Sequence, residues 1–349
     1  MRKVAIALAL TALMFSSQAH GYGDRGHHLV GAIADRKLKD YPGLSEKIAK
    51  LLGGLNLETV AVYPDVIIKP MDHTSADNVF SKRPELTDQP ELIQQLTDFW
   101  EANQDHPLPK HENRHRMAHY TDVPVKGSLK YQEGADGQTP FDIVHAIPRC
   151  IRVLQGKATP EDQERKISPA VAVILLAHYL GDIHQPLHVG AEYFDFDGQP
   201  ADPATFAGAN DDVGGNDIHF KFSPPYHSSS HNLHAFWDDD AVDLAFPSDD
   251  DPANADDLAG KEPADWRLPP DSPIESWAEF WANDILPMAG AAHEQCTFQG
   301  MTTSPSGEHY YQAQLNGASY PKFAGKTAKT EIHKAGWRLA DVLAKALAD

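Results

Sequence analysis

Cysteine is almost absent: the 349-residue chain has two, Cys150 and Cys296. Neither stands in the spacing of a cysteine-ligated zinc. In an exported protein such a pair invites a disulfide, although sequence does not show whether the two thiols meet. Basic residues are also scarce, with 30 Lys and Arg against 50 Asp and Glu and a net charge of −20. The chain therefore advertises no basic groove of the kind that usually tracks a nucleic-acid backbone. Long apolar runs are missing beyond the first residues, which excludes a membrane-spanning body. There is no internal repeat, so a solenoid is excluded too. The acidic excess is uneven. It gathers at Asp238 to Asp240, Asp249 to Asp251 and Asp256-Asp257, and reads as a solvated loop.

What the chain has in quantity is histidine, 19 in all. Residues 178–188 read His-Tyr-Leu-Gly-Asp-Ile-His-Gln-Pro-Leu-His. His178 and Asp182 are four apart, so on a helix they share one face. Pro186 ends or bends that helix, because it lacks an N–H and fixes φ. His188 can then return towards the same point. The apolar run before them, Ala170 to Leu176, would bury the helix. A His and an Asp held above a core, with a second His past a turn, can bind a divalent metal. A second pair, His234 and Asp238, repeats the spacing of four. Asp65, after an apolar run, and His119 with Asp122 add further donors.

Residues 1–21 read as a secretory signal: Arg2 and Lys3, then an apolar stretch from Val4 to Phe15, then small residues. The expectation is an exported protein, periplasmic or secreted, with 22–349 as its mature domain. Cleavage after Gly21 would make Tyr22 the first residue. A free α-amine has a pKa near 8, so at neutral pH it can give up its proton to a metal and chelate with its own carbonyl. His27 could complete that set.

The apolar periodicity is mostly helical. It predicts helices at Gly26 to Lys37, Glu91 to Ala102, Pro140 to Leu154, Ser168 to Leu180, Ser276 to Ala289 and Thr327 to Ala348. Strand-like stretches are short, such as Ile218 to Phe222. Pro70 to Arg83 and Asp239 to Pro273 read as loops, the second an acidic insertion around 239–273.

Taken in order, several of these blocks form a recognisable series. They are Tyr22-Gly23 with Gly26-His27, the isolated Asp65, His119 to Asp122, and Gly-Asp-x-x-Gln-Pro-Leu-His at Gly181 to His188. Gly-Gly-Asn follows at Gly214 to Asn216, then Asn-Leu-His-x-x-Trp-Asp at Asn232 to Asp238, and a closing helix from Ala335 to Ala340. In this the chain resembles the zinc-dependent single-strand nucleases of the S-one/P-one type, the type I nucleases, which share a scaffold with bacterial zinc phospholipase C. The resemblance implies a mainly α, single compact multi-helix domain with a trinuclear zinc cleft. By position, the first of three zinc ions would take Asp65, His119, His178 and Asp182. The second would take the Tyr22 amine and carbonyl, His27 and, bridging, Asp182. The third would take His188, His234 and Asp238.

The implied reaction is hydrolysis of single-stranded RNA and DNA to 5′-phosphorylated products, with 3′-nucleotidase activity as an addition. Asp122 would orient water or contact the base. Tyr120 stands where a Phe commonly stacks on a base, and Asn216 could hydrogen-bond a base edge. Fungal relatives carry an Arg three residues after the isolated Asp. Here Ile68 stands there, and the adjacent Lys69 is the candidate substitute, without the planar fork of Arg. His184 reads as a non-ligand. His73, His106, His111, His115, His227, His231 and His309 carry no assigned role and read as mostly exposed. The substrate partner would be nucleic acid or nucleotides, and no obligate protein partner is implied. The alternatives are a zinc phospholipase C acting on phospholipid head groups and a non-enzymatic exported zinc-binding protein.

Overall fold

The computed structural model describes residues 22–109, 111–220, 232–267, 269, 271–305 and 307–348. The expected signal segment, His227, His231 and the last two residues of the expected strand Ile218 to Phe222 lie outside the described residues. The described chain is mainly α-helical. Its long helices are α1 (Asp24–Lys37), α2 (Pro90–Ala102), α3 (Ile143–Leu154), α4 (Pro169–Asp182), α5 (Trp277–Glu294) and α6 (Ser319–Ala346). Each overlaps a periodic segment, and α6 begins earlier than its periodicity indicates.

Helix α4 is the axle of the fold. Ser168 caps it by accepting from the Val171 amide, and Pro169 starts it where no amide partner is needed. Every residue from Ala170 to Asp182 is buried, which suits a helix that is apolar all round. Helices α1, α2, α3 and α6 pack around it. Each buried Val, Ile or Leu on it contributes roughly 1.5–3 kcal/mol relative to exposure. Its polar end, His178 and Asp182, is thereby held deep in the molecule.

Strands are a minor component. β1 (Ile218–Phe220), β2 (Cys296–Thr303) and β3 (His309–Leu315) form one sheet in the order β1-β3-β2. β1 runs parallel to β3, and β2 runs antiparallel to it with a bulge between Phe298 and Gly300. Val123–Pro124 pairs with Gly190–Ala191, and Tyr193–Phe194 pairs with Asn210–Asp211.

Three expectations are corrected. The stretch Asp239 to Pro273 is not simply a loop: it holds helical turns through Asp240, then Ala241–Ala245 and Asp251–Ala259. Its acids are partners for α1. Arg25 donates to Asp243 at 2.7 Å, to both Asp251 oxygens at 2.9 and 3.1 Å, and to the carbonyls of Phe246 and Ser248. Arg36 pairs with Asp256. Second, Pro70 to Arg83 contains the short helix Ala76–Phe80. Third, Cys150 and Cys296 are both buried free thiols. They lie on separate elements, α3 and β2.

Candidate metal centre

Five imidazoles and carboxylates meet because α4 ends where three other segments arrive. His178 and Asp182 occupy successive turns of α4, with His178 Nε2 3.2 Å from Asp182 Oδ2. Asp65 comes from the turn Pro64–Ile68, and His119 follows the short helix Arg114–Met117. Asp65 Oδ1 lies 3.6 Å from His178 Nε2 and 3.8 Å from His119 Nδ1. His119 Nδ1 lies 2.9 Å from Asp182 Oδ2. His27, from α1, stacks its ring on His178 at 3.8 Å and brings Nε2 within 3.3 Å of Asp182 Oδ1. Asp182 is thus the hub, with one carboxylate facing two sets of ligands. Beyond the turn Pro186–His188, the His188 ring comes 4.8 Å from that of His234, whose Nε2 is 3.4 Å from Asp238 Oδ2.

The donor atoms fall into three buried groups, each compact enough to hold one ion: His27, His178 and Asp182; Asp65, His119 and His178; His188, His234 and Asp238. Their chemistry fits a divalent cation with a taste for nitrogen and oxygen. The Nδ1 atoms of His178, His188 and His234 face the carbonyls of Ala61, His119 and Gly214 at 2.7, 2.8 and 2.6 Å. A carbonyl only accepts, so Nδ1 carries the proton and Nε2 keeps its lone pair for a ligand. The Nε2 atoms of His188 and His234 and both nitrogens of His27 are buried, with no hydrogen-bond partner among the described residues. Buried polar atoms are rarely left so, and an ion is the natural partner.

The electrostatics agree. Burial first, then His178, pushes the His27 imidazole down to about 4. Burial and the neighbouring His188 push His234 down to about 3. Both rings are therefore neutral at pH 7, as ligands must be. Burial alone would raise Asp182, but His178 and His188 outweigh it and hold this carboxylate well below its usual range. Asp238 is pushed well above it, by burial and then by Asp239 and Asp182, against the hydrogen bond from Gln185. The region gathers carboxylates faster than protein cations, and bound metal would reverse the shift of Asp238.

Two further residues of the long motif act through contacts that their spacing does not show. Gln185 donates from Nε2 to Asp238 Oδ1 at 2.9 Å and accepts the Leu187 amide at 2.5 Å. It fixes Asp238 from the α4 side. Gly181 is the point of closest approach to α1: a Cβ there would sit 2.7 Å from His27 Nδ1. Gly181→Ala is therefore expected to displace His27 and to lower metal uptake by about one equivalent with the helical circular dichroism unchanged. Full uptake by that variant, measured by elemental analysis, would show that His27 is not a ligand. In Gly-Gly-Asn, Gly214 has φ +58° and supplies the carbonyl that orients His234, while a Cβ on it would strike the Leu187 carbonyl at 2.4 Å.

The remaining candidates are dispersed. Tyr22 is fully buried, its hydroxyl donating to the His184 carbonyl at 2.8 Å. Lys69 is also buried and its ammonium pairs with Asp65 at 2.5 Å. Tyr120 and Asp122 line one cavity of about 230 Å³, together with Asp136, Tyr193 and Asp211. Burial, then Asp211 and Asp212, pushes Asp122 well above the usual carboxylate range. Asn216 does not join them. It lies on the loop beside His234, its amide donating to the Val213 carbonyl at 2.8 Å. His184 has both nitrogens committed, Nδ1 to the Leu180 carbonyl at 2.6 Å and Nε2 to Arg338 at 2.7 Å. His115 overturns the expectation of exposure: it is buried behind His119, ring edge to ring at 4.9 Å.

Two comparisons bear on this arrangement. The family model described as S1/P1 Nuclease matches residues 22–348. Endonuclease 5 of Arabidopsis thaliana is 39% identical over 74 residues, which cover 21% of this chain and 18% of that protein. The chain thus aligns with about a fifth of the length of that curated relative.

Proposed function

Because the chain belongs to the S1/P1 nuclease family, we propose that it is an exported, zinc-dependent phosphodiesterase that cleaves single-stranded RNA and DNA to 5′-phosphorylated products. A 3′-nucleotidase activity would use the same centre. The observation that carries this reading is the convergence of three buried donor groups, from segments far apart in sequence, around Asp182.

In this reading Asp65, His119, His178 and Asp182 hold one zinc. His27, Asp182 and the amine and carbonyl of a processed Tyr22 hold a second. His188, His234 and Asp238 hold a third. Zinc supplies Lewis acidity, lowering the pKa of water towards neutrality and offsetting charge on phosphate oxygens. That is how an acidic protein can act on a polyanion. The chain's own residues position the reactants. Tyr120 offers a ring for a base in the cavity it shares with Asp122. Asp122 holds the water or the base edge at the mouth of that cavity. Lys69 brings an ammonium to the Asp65 side, and Asn216 brings an amide to the His234 side. A narrow cavity admits an unpaired base, whereas a duplex must first unstack and unpair. Family membership and the absence of any helix, among the described residues, long and apolar enough to cross a membrane are consistent with export.

The test is direct. Protein processed to Tyr22 and loaded with zinc is given single-stranded and duplex oligonucleotides of one sequence, and separately phosphatidylcholine. Fast cleavage of the single strand, with 5′-phosphate ends by mass spectrometry, is the expected result. Release of phosphocholine without nucleotide release would replace this reading by a phospholipase one. Gln185→Ala offers a finer check. Asp238 loses its side-chain donor, and such outer partners are worth about 10- to 100-fold in metal affinity. Competition with a chelating dye should show one weakened zinc and two unchanged ones.

A further inference from the structure

Phe196 is the most exposed of the large apolar side chains described, at 68%. A single exposed apolar residue is ordinary on a protein surface, so its setting decides what it means. Phe196 sits at the tip of a short arm whose base is part of the candidate site. The arm starts as Tyr193–Phe194 and returns as Asn210–Asp211, with Tyr193 opposite Asp211. Both of those residues line the cavity that Tyr120 and Asp122 share. Phe196 is three positions after Tyr193, so the two Cα atoms are at most about 11 Å apart. That is on the scale of one or two nucleotides of an extended strand.

The arm is built to hold the ring out. Phe194 anchors it, fully buried and stacked on Tyr311 at 3.6 Å. The Asp195 carboxylate accepts the amides of Asp197 and Gln199 at 2.9 and 2.8 Å, which ties the tip into a tight turn. Phe206 packs against Phe196 at 5.1 Å and 64°, and a Cβ on Gly208 would come within 3.2 Å of the ring. One side of the ring is buttressed and the other is left to solvent.

Charge narrows the occupant. The chain is strongly acidic, and the arm itself carries Asp195, Asp197 and Asp202. An arm of that sign cannot grip phosphates. Stacking on a base face is the attraction left to it, and every base has such a face. We propose that Phe196, backed by Phe206, is an outer stacking site for an unpaired base beyond the one held in the cavity of Tyr120 and Asp122. This rests on the nuclease reading above and adds a second point of contact to it.

Kinetics on a dinucleotide and a hexanucleotide test the proposal with the zinc-loaded protein. Phe196→Ala should raise KM for the hexanucleotide roughly tenfold and leave the dinucleotide unchanged, and Phe196→Trp should restore the long substrate. Because the side chain is exposed, neither variant threatens folding. Equal losses on both substrates, or none on the hexanucleotide, would overturn the site. Emission from Phe196→Trp should also be quenched by a phosphorothioate hexanucleotide, with the same salt slope as its binding to Phe196→Ala, because stacking adds no phosphate contact. Unquenched emission, or a steeper slope for Phe196→Trp than for Phe196→Ala, overturns it as well. If the wild type cleaves neither substrate, the nuclease reading falls, and the quenching experiment still decides the stacking site.

Discussion

Asp182→Asn should abolish turnover, by at least roughly a thousandfold, and strip most of the bound metal while leaving the helical content intact. The argument is geometric. The carboxylate is fully buried at the end of α4 and faces His119, His178 and His27 within 3.3 Å and His188 within 3.8 Å. It therefore belongs to the set around His27 and lies within reach of the set around Asp65. Asparagine keeps the shape but removes the negative charge and replaces one acceptor oxygen by a donor. The amide NH2 can only donate, so it would hydrogen-bond an imidazole lone pair that the metal needs, and a neutral amide is a poor zinc ligand. Several kcal/mol of transition-state stabilisation would go with the metal, and each 1.36 kcal/mol is tenfold in rate. Elemental analysis should find one zinc remaining, held by His188, His234 and Asp238. Asp122→Asn is the contrast, because Asp122 lines the neighbouring cavity rather than a metal group: all zinc should stay. A variant Asp182→Asn that kept three equivalents and the wild-type rate would end the assignment of Asp182 as the shared ligand.

The two pairs at that centre are legible in the sequence, because an α-helix places residues four apart on one face, whereas the sharing of Asp182 comes only from the family resemblance. His178 with Asp182, and His234 with Asp238, needed no more than this. Convergence of the two pairs with Asp65 and His27 was not readable from spacing. It depends on which helices pack on α4, and the order of family motifs supplied the missing information. Gln185 and Gly181 stood inside a quoted motif, yet their work is done by contacts with Asp238 and His27, 53 and 154 positions away. The acidic stretch after Asp238 was misread for a similar reason. Asp-rich sequence suits a solvated loop and equally suits a partner for Arg25 and Arg36, and the choice lies in α1 more than two hundred residues earlier. The hairpin of β2 and β3 went unread because Cys296–Thr303 mixes Thr, Gln and Gly with few apolar residues, which blurs alternation. His115 looked like one of many surface histidines, and only the packing of Phe99 and His119 around it shows otherwise.

Removing the metal should cost stability as well as activity, and acid should cost stability separately. An ion present at a thousand times its dissociation constant stabilises the folded chain by about 4 kcal/mol. For a domain of more than about 300 residues each kcal/mol moves Tm by roughly 1–2 °C, and three ions add their effects. Chelation at pH 7 should therefore lower Tm by on the order of 10 °C or more, and restored zinc should return it. Acid then acts on the stripped protein through the buried imidazoles. His27 is held down to about 4 and His234 to about 3, in both cases chiefly by burial. In the unfolded chain the same groups take a proton near 6.5. Between those limits the unfolded state binds more protons at these two rings than the folded one, so their contribution to stability falls as pH drops. The raised Asp238 carboxyl opposes this, because it takes its proton in the folded state first. Above 6.5 both states are neutral at these rings and the effect disappears. Each ring contributes up to about 1.4 kcal/mol per pH unit within the window. Thermal melts at pH 7 and pH 5, with and without chelator, read this out. Through these rings the stripped and zinc-loaded proteins should lose similar amounts, because the destabilising protons bind the unfolded chain in both cases. The difference between melts with and without chelator reads the bound ion. Melting curves indifferent to chelator at both pH values would mean that the buried His and Asp groups hold no ion the fold depends on.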